Sequence, residues 1–269
     1  MNDLLLVVVC YRKKVEDIAY LKRMEGVEIL IHDNSPEPQV VDPKWHYIHD
    51  PHNPGVSKAY NRGIDLARKL KLKGVLLLDH DTVFSPEILK SYREALSTYG
   101  EDYLYAPMVA GNGKVYSPFI EGKIRNSATP VADFVYSPVY PLEGKSLINS
   151  GLLLPLKVVD AIGGFYDTIK LDFSDIAFIS KYKAYKKECI LVEETLLHGL
   201  SGDEGMDKER ELSRFRYYCN GAREFGKAGG PKGKLSVFVL FRMLRLVVKY
   251  KTLRPLPLAL QYYGGEKTL

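Results

Sequence analysis

The sequence predicts an α/β fold with a mostly parallel central sheet, and three observations carry that prediction. Apolar runs of seven and four residues stand at Leu4–Cys10 and Val75–Leu78, as strands buried on both faces do, and Val27–His32 reads as a further strand between them. Helical patterns separate them, so strand and helix alternate over the first ~100 residues. Turn clusters close the strands: Asp33-Asn34-Ser35-Pro36 after the second and Asp79-His80-Asp81 after the apolar run ending at Leu78.

The elements follow in order. Leu4–Cys10 is valine-rich and reads as a buried parallel strand. Val15–Met24 reads as helix-like, Val27–His32 as a second strand and Trp45–His49 as a short third. Asn53-Pro54-Gly55 forms a loop. Ser57 is placed to cap a helix reaching about Leu70, with Tyr60, Ile64, Ala67 and Leu70 inward. Val75–Leu78 is the fourth strand. Ser85-Pro86-Glu87 opens another helix, with serine at the cap and proline in the first turn. Gly111-Asn112-Gly113 marks a hairpin. Leu152–Leu154 is a strand, and Pro155 starts a helix that stops at Gly163-Gly164. Further helices are expected at Ser174–Lys187, Lys208–Phe225 and Leu235–Tyr250, with a strand at Ile190–Val192 and a hinge at Gly226–Gly233.

Composition bounds the classes. With 269 residues, 46% hydrophobic and 26% charged, the chain is long enough for a sizeable core and too apolar for disorder. Three cysteines exclude a disulfide framework and point to a reducing compartment. Leu4–Cys10 is too short to span a bilayer. The net charge of +5 divides unevenly. Residues 206–255 hold 13 Lys/Arg against four acids, a net +9, which leaves −4 for the rest. A basic tail on an acidic body implies an anionic partner. Nucleic acid is not expected, because no zinc site, RNA-binding aromatic motif or helix-turn-helix pattern accompanies the charge.

In open parallel sheets, ligands bind beyond the carboxyl ends of the strands. Asp79 and Asp81 emerge there as a D-x-D pair. Two such carboxylates repel each other unless a cation joins them, and a divalent ion bridging a diphosphate does so. The plainer alternative is an acidic turn capping the next helix. Asp33 ends the second strand, where it either bonds a base or ribose or closes an Asx-turn. Asp172 and Asp175 are three residues apart and share a face at a helix start, as base and cap or as two caps. His198 precedes a glycine-bearing loop, as a ligand or as a structural histidine. His32, His49, His52 and His80 are expected on loops or rims near strand ends.

An ordered set of motifs resembles inverting family 2 glycosyltransferases of the GT-A (Rossmann-like) fold. Val7-Val8-Val9 with Tyr11-Arg12, then Ile31-His32-Asp33-Asn34-Ser35, resemble the family's opening. Asn53-Pro54-Gly55 with Ala59, Asn61 and Gly63 is similar to its N-x-G-x-x-x-A-x-N-x-G segment. Leu76-Leu77-Leu78-Asp79-His80-Asp81 resembles its strand and D-x-D. Ser150-Gly151 and Gly163-Gly164-Phe165 resemble acceptor-side elements. Leu171-Asp172-Phe173-Ser174-Asp175, His198-Gly199-Leu200-Ser201-Gly202 and Arg214-Phe215-Arg216-Tyr217-Tyr218 resemble the rhamnosyltransferase-like branch. The set covers roughly residues 4–226. The chain departs from the family at Cys10-Tyr11-Arg12, Ala177, Lys181 and Cys219.

The resemblance implies a division into residues 1–226, a GT-A domain with nucleotide-binding (1–100) and acceptor (101–226) halves, and residues 227–269, a basic amphipathic helical extension. It implies Asp175 as general base and Asp33, Tyr11, Asn61, Asp79 and Arg214 on the nucleotide. It also implies Asp79, Asp81 and His198 on Mg²⁺ or Mn²⁺, and Asp172, Ser150 and Gly151 on the acceptor side. The implied donor is dTDP-rhamnose or a UDP-sugar, and the implied acceptor a saccharide or lipid-linked saccharide in surface polysaccharide synthesis. The expected location is the cytoplasm, with the tail on the inner face of an anionic membrane or packed on the body. The alternatives are a non-catalytic nucleotide-binding module and a sugar-phosphate nucleotidyltransferase. The latter would carry an early glycine-rich loop, and Val9-Cys10-Tyr11-Arg12-Lys13 has no glycine.

Overall fold

A computed structural model describes residues 3–80, 82–85, 87–111, 114–122, 128–130, 134–198 and 207–269. The first half comprises β1 (Leu4–Cys10), β2 (Glu28–Asp33), β3 (His46–His49), α1 (Val56–Lys69), β4 (Gly74–Asp79), β5 (Thr82–Val83) and α2 (Ile88–Tyr99). The middle is strand-rich: β6 (Tyr105–Gly111), β7 (Lys114–Ser117), β8 (Phe119–Glu121), β9 (Ala128–Pro130), β10 (Val139–Pro141), β11 (Lys145–Ser146) and β12 (Leu153–Pro155). Then come α3 (Leu156–Ile162), α4 (Ser174–Tyr185), β13 (Glu188–His198), α5 (Lys208–Lys227), α6 (Lys232–Tyr250) and α7 (Pro255–Tyr262).

The main sheet runs β10-β13-β6-β12-β4-β1-β2-β3, with β5 on β13 and β7 on β6. A small sheet, β11-β8-β9, lies apart. Pairing is parallel across β4-β1-β2-β3 and between β6 and β13. Short β12 joins these two blocks by running antiparallel to both. The register aligns Cys10 with Asp33 and Val9 with Asp79, so three strands deliver their carboxyl ends to one rim.

β1 shows why the sheet is two-sided. Successive strand residues point to opposite faces, and all seven residues of β1 are buried. Leu5, Val7 and Val9 enter the layer of α1, α3 and α4 with Tyr60, Val158 and Phe178. Leu4, Leu6, Val8 and Cys10 enter the layer of α2 with Tyr20, Leu89 and Tyr92. A third apolar cluster unites Phe173, Phe215, Phe225, Leu235, Phe238 and Leu246, running across residue 226 without a break. All three cysteines are free and buried.

Several boundaries differ from the sequence reading. Val15–Met24 is not an α-helix. It forms two 3₁₀ segments, Val15–Asp17 and Ala19–Arg23, broken at Ile18, and the Val15 N–H donates to Gln39 Oε1 at 2.9 Å. Ser57 is not the cap of α1. Gly55 holds that position with φ 95°, where a Cβ would stand 2.4 Å from the Lys170 carbonyl oxygen. Leu70 ends α1 exposed rather than inward. α2 starts at Ile88 with no side-chain cap, and Pro86 lies outside the described residues. β6 and β7 pair antiparallel with Gly111 opposite Lys114, and Asn112 and Gly113 of the expected turn lie outside the described residues. β13 runs to 11 residues where three were expected, because parallel pairing with β6 carries it on. The proposed hinge is partly helical: α5 continues through Lys227 and α6 begins at Lys232. α7 is an element the sequence reading does not include, and its Pro255 stands in the first turn, where a helix tolerates proline.

Gly63 lets α1 lie on β1: a Cβ there would stand 2.5 Å from Val7 Cγ2. In a free helix, Gly→Ala stabilises by about 1 kcal/mol. Here Gly63→Ala is expected to destabilise by about 1–3 kcal/mol through overpacking, read as a lower midpoint in thermal denaturation. A raised midpoint would contradict this packing.

Candidate active site

The rim is built around four residues, Asp172 to Asp175. Phe173 precedes α4 in the left-handed conformation, φ 72° and ψ 1°, unusual for a bulky residue and found where surroundings enforce it. Its buried ring packs 4.8 Å from Tyr218 of α5. Ser174 Oγ lies 2.8 Å from Ser57 Oγ, whose hydroxyl also donates to the Ile169 carbonyl at 2.5 Å. Asn149 Nδ2 reaches Ser174 Oγ at 3.5 Å. The start of α4 is thus tied to α1 and to the 149–151 turn.

Asp175 occupies the first turn of α4, half-buried, with the Ile176 N–H donating to Oδ1 at 2.7 Å. Its carboxyl is raised to about 6. Burial is the main cause, opposed by the Ile176 N–H and reinforced by the charges of Asp172 and Asp79. Ser57 and Tyr60, one turn apart on α1, bond Ser174 and Asp79, so the segments of Asp175 and Asp79 meet at one mouth, with Asp172 beside them. Asp79 ends β4 half-buried, and the Tyr60 hydroxyl donates to its Oδ1 at 3.2 Å.

Asp172 faces two arginines. Arg214 Nε of α5 stands 3.8 Å from Oδ1, and Arg242 Nη1 of α6 stands 3.6 Å from the same oxygen. Arg242 also lies over the Tyr218 ring at 4.4 Å, a cation–π contact. Gly221 lets α5 come this close, since a Cβ there would stand 2.2 Å from the Asp172 carbonyl oxygen. Arg214 Nε is buried and makes no hydrogen bond, and neither does Asp172 Oδ2. Buried polar groups are normally satisfied, so this pair retains bonding capacity at the mouth.

The other expected site residues divide. Tyr11 is 42% exposed at the end of β1, and Arg12 lies over its ring at 5.3 Å. Burial and the phenol of Tyr11 push the Tyr217 phenol of α5 upward. Asp33 is fully buried. Its Oδ1 accepts from the Ser35 N–H, and its Oδ2 from Gln39 Nε2 and the Tyr47 hydroxyl. Burial raises its carboxyl, but the bonds from Ser35, Tyr47 and Gln39 outweigh that and hold it below the usual range. Asp33 here forms the Asx-turn that shapes the 33–39 loop.

Asn61, expected on the nucleotide, has its side-chain amide bonded within the protein. Its Nδ2 donates to the Phe165 carbonyl and Asp167 Oδ1, and its Oδ1 accepts from the Phe165 N–H. It clamps α1 to the loop after α3, and a Cβ on Gly164 would stand 2.3 Å from it. Gly151, at φ 83°, donates to the Leu77 carbonyl, and Ser150 is buried beside it. This turn supports the end of β4. Asp81 and the side chain of His198 fall outside the described residues. His32 is a correction: it is fully buried, bonded to Arg62 Nη1 at 2.9 Å. Burial and then Arg62 lower it to about 4, so it is neutral.

No group of three His, Cys, Asp or Glu side chains forms a metal cage among the described residues. Mg²⁺ commonly takes one or two carboxylates and completes its shell with substrate phosphates and water. A strand-end Asp79 with Asp81 two residues on fits that donor set. Sequence reading missed Arg242 altogether, because one arginine among several on an amphipathic helix reads as solvated.

The segment 27–135 matches the family model described as glycosyl transferase family 2. No curated protein sequence matches the chain. Among solved structures, the chain is similar to S. aureus TarS 1–349 in complex with UDP-GlcNAc. Identity is 13% with a TM-score of 0.54, covering 98% of this chain and 80% of that one. A second structure of S. aureus TarS 1–349 gives 12% identity and a TM-score of 0.49, covering 98% and 92%. The segment holding Asp33, α1 and Asp79 thus matches the glycosyl transferase family 2 model, and the chain shares the fold of TarS.

Proposed function

We propose that the protein transfers a sugar from a nucleoside-diphosphate donor to a hydroxyl of a saccharide or lipid-linked saccharide, with inversion, in surface polysaccharide synthesis. The observation that carries the reading is that one turn of α1 bonds both carboxylate segments, Ser57 to Ser174 beside Asp175 and Tyr60 to Asp79. A UDP-sugar is the first donor class to test, since the fold neighbour TarS was crystallised with UDP-GlcNAc. dTDP-rhamnose is the second, suggested by the Asp172–Asp175 motif.

In this reading Asp175 takes the proton of the acceptor hydroxyl. The oxygen attacks the anomeric carbon opposite its bond to the diphosphate, that bond breaks, and the nucleoside diphosphate leaves. Backside attack accounts for inversion, with one carboxylate opposite the leaving group. Mg²⁺ or Mn²⁺, held by Asp79 and Asp81 with His198 as a further ligand, would offset the charge of the departing diphosphate. Arg214 adds a cation with a free donor on the same side. Tyr11, exposed at the end of β1, would stack on the base.

A base raised to about 6 loses its proton only as pH rises through that value. Turnover is therefore expected to rise through about pH 6 and to fall tenfold per unit below it, read from kcat/KM against pH. Arg242→Gln leaves Asp172 compensated by Arg214 alone. The acid limb should then move to higher pH, with about 1–3 kcal/mol lost in denaturation. An unchanged profile would separate Arg242 from the chemistry. In a thermal-shift screen, a UDP- or dTDP-sugar with Mn²⁺ at a hundredfold its Kd should add about 2.7 kcal/mol of stability. No shift with any donor would overturn the donor assignment.

A further inference from the structure

The tail was expected to show a basic face outward, and α6 is turned the other way. Arg242 faces Asp172, while Arg245 and Lys249 reach into Glu211 of α5. Glu211 is fully buried. Burial would raise its carboxyl, but the bonds from Lys249 and Tyr250 outweigh this and keep it charged. The cations therefore attach the helix to the body. The face left in solvent is apolar: Val237, Leu240, Phe241, Leu244 and Val248 are 38–76% exposed. At 3.6 residues per turn they fall within an arc of about 100°, opposite buried Leu235, Val239 and Leu246. Leu253, Leu256 and Leu260 continue the exposed apolar surface along the chain. Eight of the seventeen large apolar side chains exposed among the described residues thus come from 24 consecutive positions. Concentration on that scale marks a surface that is covered in use.

Charge identifies the cover. No Asp or Glu occurs from Phe225 to Gly265, while eight Lys/Arg do. Lys232 and Lys251 stand exposed at the two ends of α6. A two-fold pairing would set this patch against itself, with no carboxylate to meet those cations. An anionic bilayer meets both demands, since its acyl boundary takes the apolar arc and its headgroups take the flanking lysines. No helix among the described residues is long and apolar enough to cross a membrane, so α6 would lie in the interface plane.

We propose that the outer face of α6, continued by α7, docks this protein onto an anionic lipid surface. The opposite face of the same helix holds Asp172 through Arg242. Docking therefore fixes the active-site mouth relative to the bilayer, which suits an acceptor carried on lipid. Vesicle binding is measured without a nucleotide sugar, so its failure leaves the transferase reading standing.

The full chain would be sedimented with vesicles of phosphatidylcholine alone or mixed with phosphatidylglycerol, beside the L240S/L244S double variant. The expected result is pelleting with the anionic vesicles, reduced about tenfold or more in the variant. The variant's thermal midpoint and UDP-sugar binding should be unchanged, because both leucines lie outside the site. Two results would overturn the proposal. One is no preference for anionic vesicles, or equal binding by the variant. The other is a concentration-dependent dimer in light scattering that the variant abolishes, which would make a second copy the cover.

Discussion

The carboxylate of Asp172 is held between two arginines from two helices, and the candidate site is assembled around that grip. Arg214 comes from α5 and Arg242 from α6, both to Oδ1. Between Asp172 and Asp175 the chain turns through a left-handed Phe173. Such a conformation costs roughly 1–3 kcal/mol and persists only where neighbours over-determine it. Here they do: Tyr218 packs on the ring, Gly221 admits the Asp172 carbonyl, and Ser57 anchors Ser174. The strain is offset by the cluster joining α4, α5 and α6, so the direction in which Asp175 points depends on residues 60 positions away.

That dependence changes the meaning of the last forty residues. By composition they are a basic appendage. In the fold they complete a core, neutralise a buried Glu211 and supply Arg242 to the site. Arg242, Arg245 and Lys249 turn toward the body, and an apolar arc of α6 faces out. One helix thereby couples whatever lies outside to the residue that sets the electrostatics of Asp175.

Much of the nucleotide half was legible in the sequence because its information is local. β1 reads as a doubly buried strand from seven apolar residues, and Asp79 follows four more. The acceptor half was less legible because its logic lies in pairing. Nothing in Leu153–Pro155 reveals that it runs antiparallel between two parallel blocks, and the length of β13 comes from its partner. At the site, the Asp172–Asp175 spacing was visible, but the φ of Phe173 was not. Asn61 matched a motif position, yet its amide bonds to the 165–167 loop instead. The one available hint to the role of α6 was Glu211. An acid on the apolar side of α5, beside Leu212 and Phe215, needs cations, and Arg245 and Lys249 are spaced four apart to provide them.

The central claim is that Asp175, raised by burial and by Asp172 and Asp79, takes the acceptor's proton in a site shared by both halves. The most direct test is Asp175→Asn in a coupled assay of nucleoside diphosphate release, beside donor binding by calorimetry. The expected result is turnover lowered about 10²–10⁴-fold with donor affinity retained. Turnover within a few-fold of the parent enzyme would contradict the account.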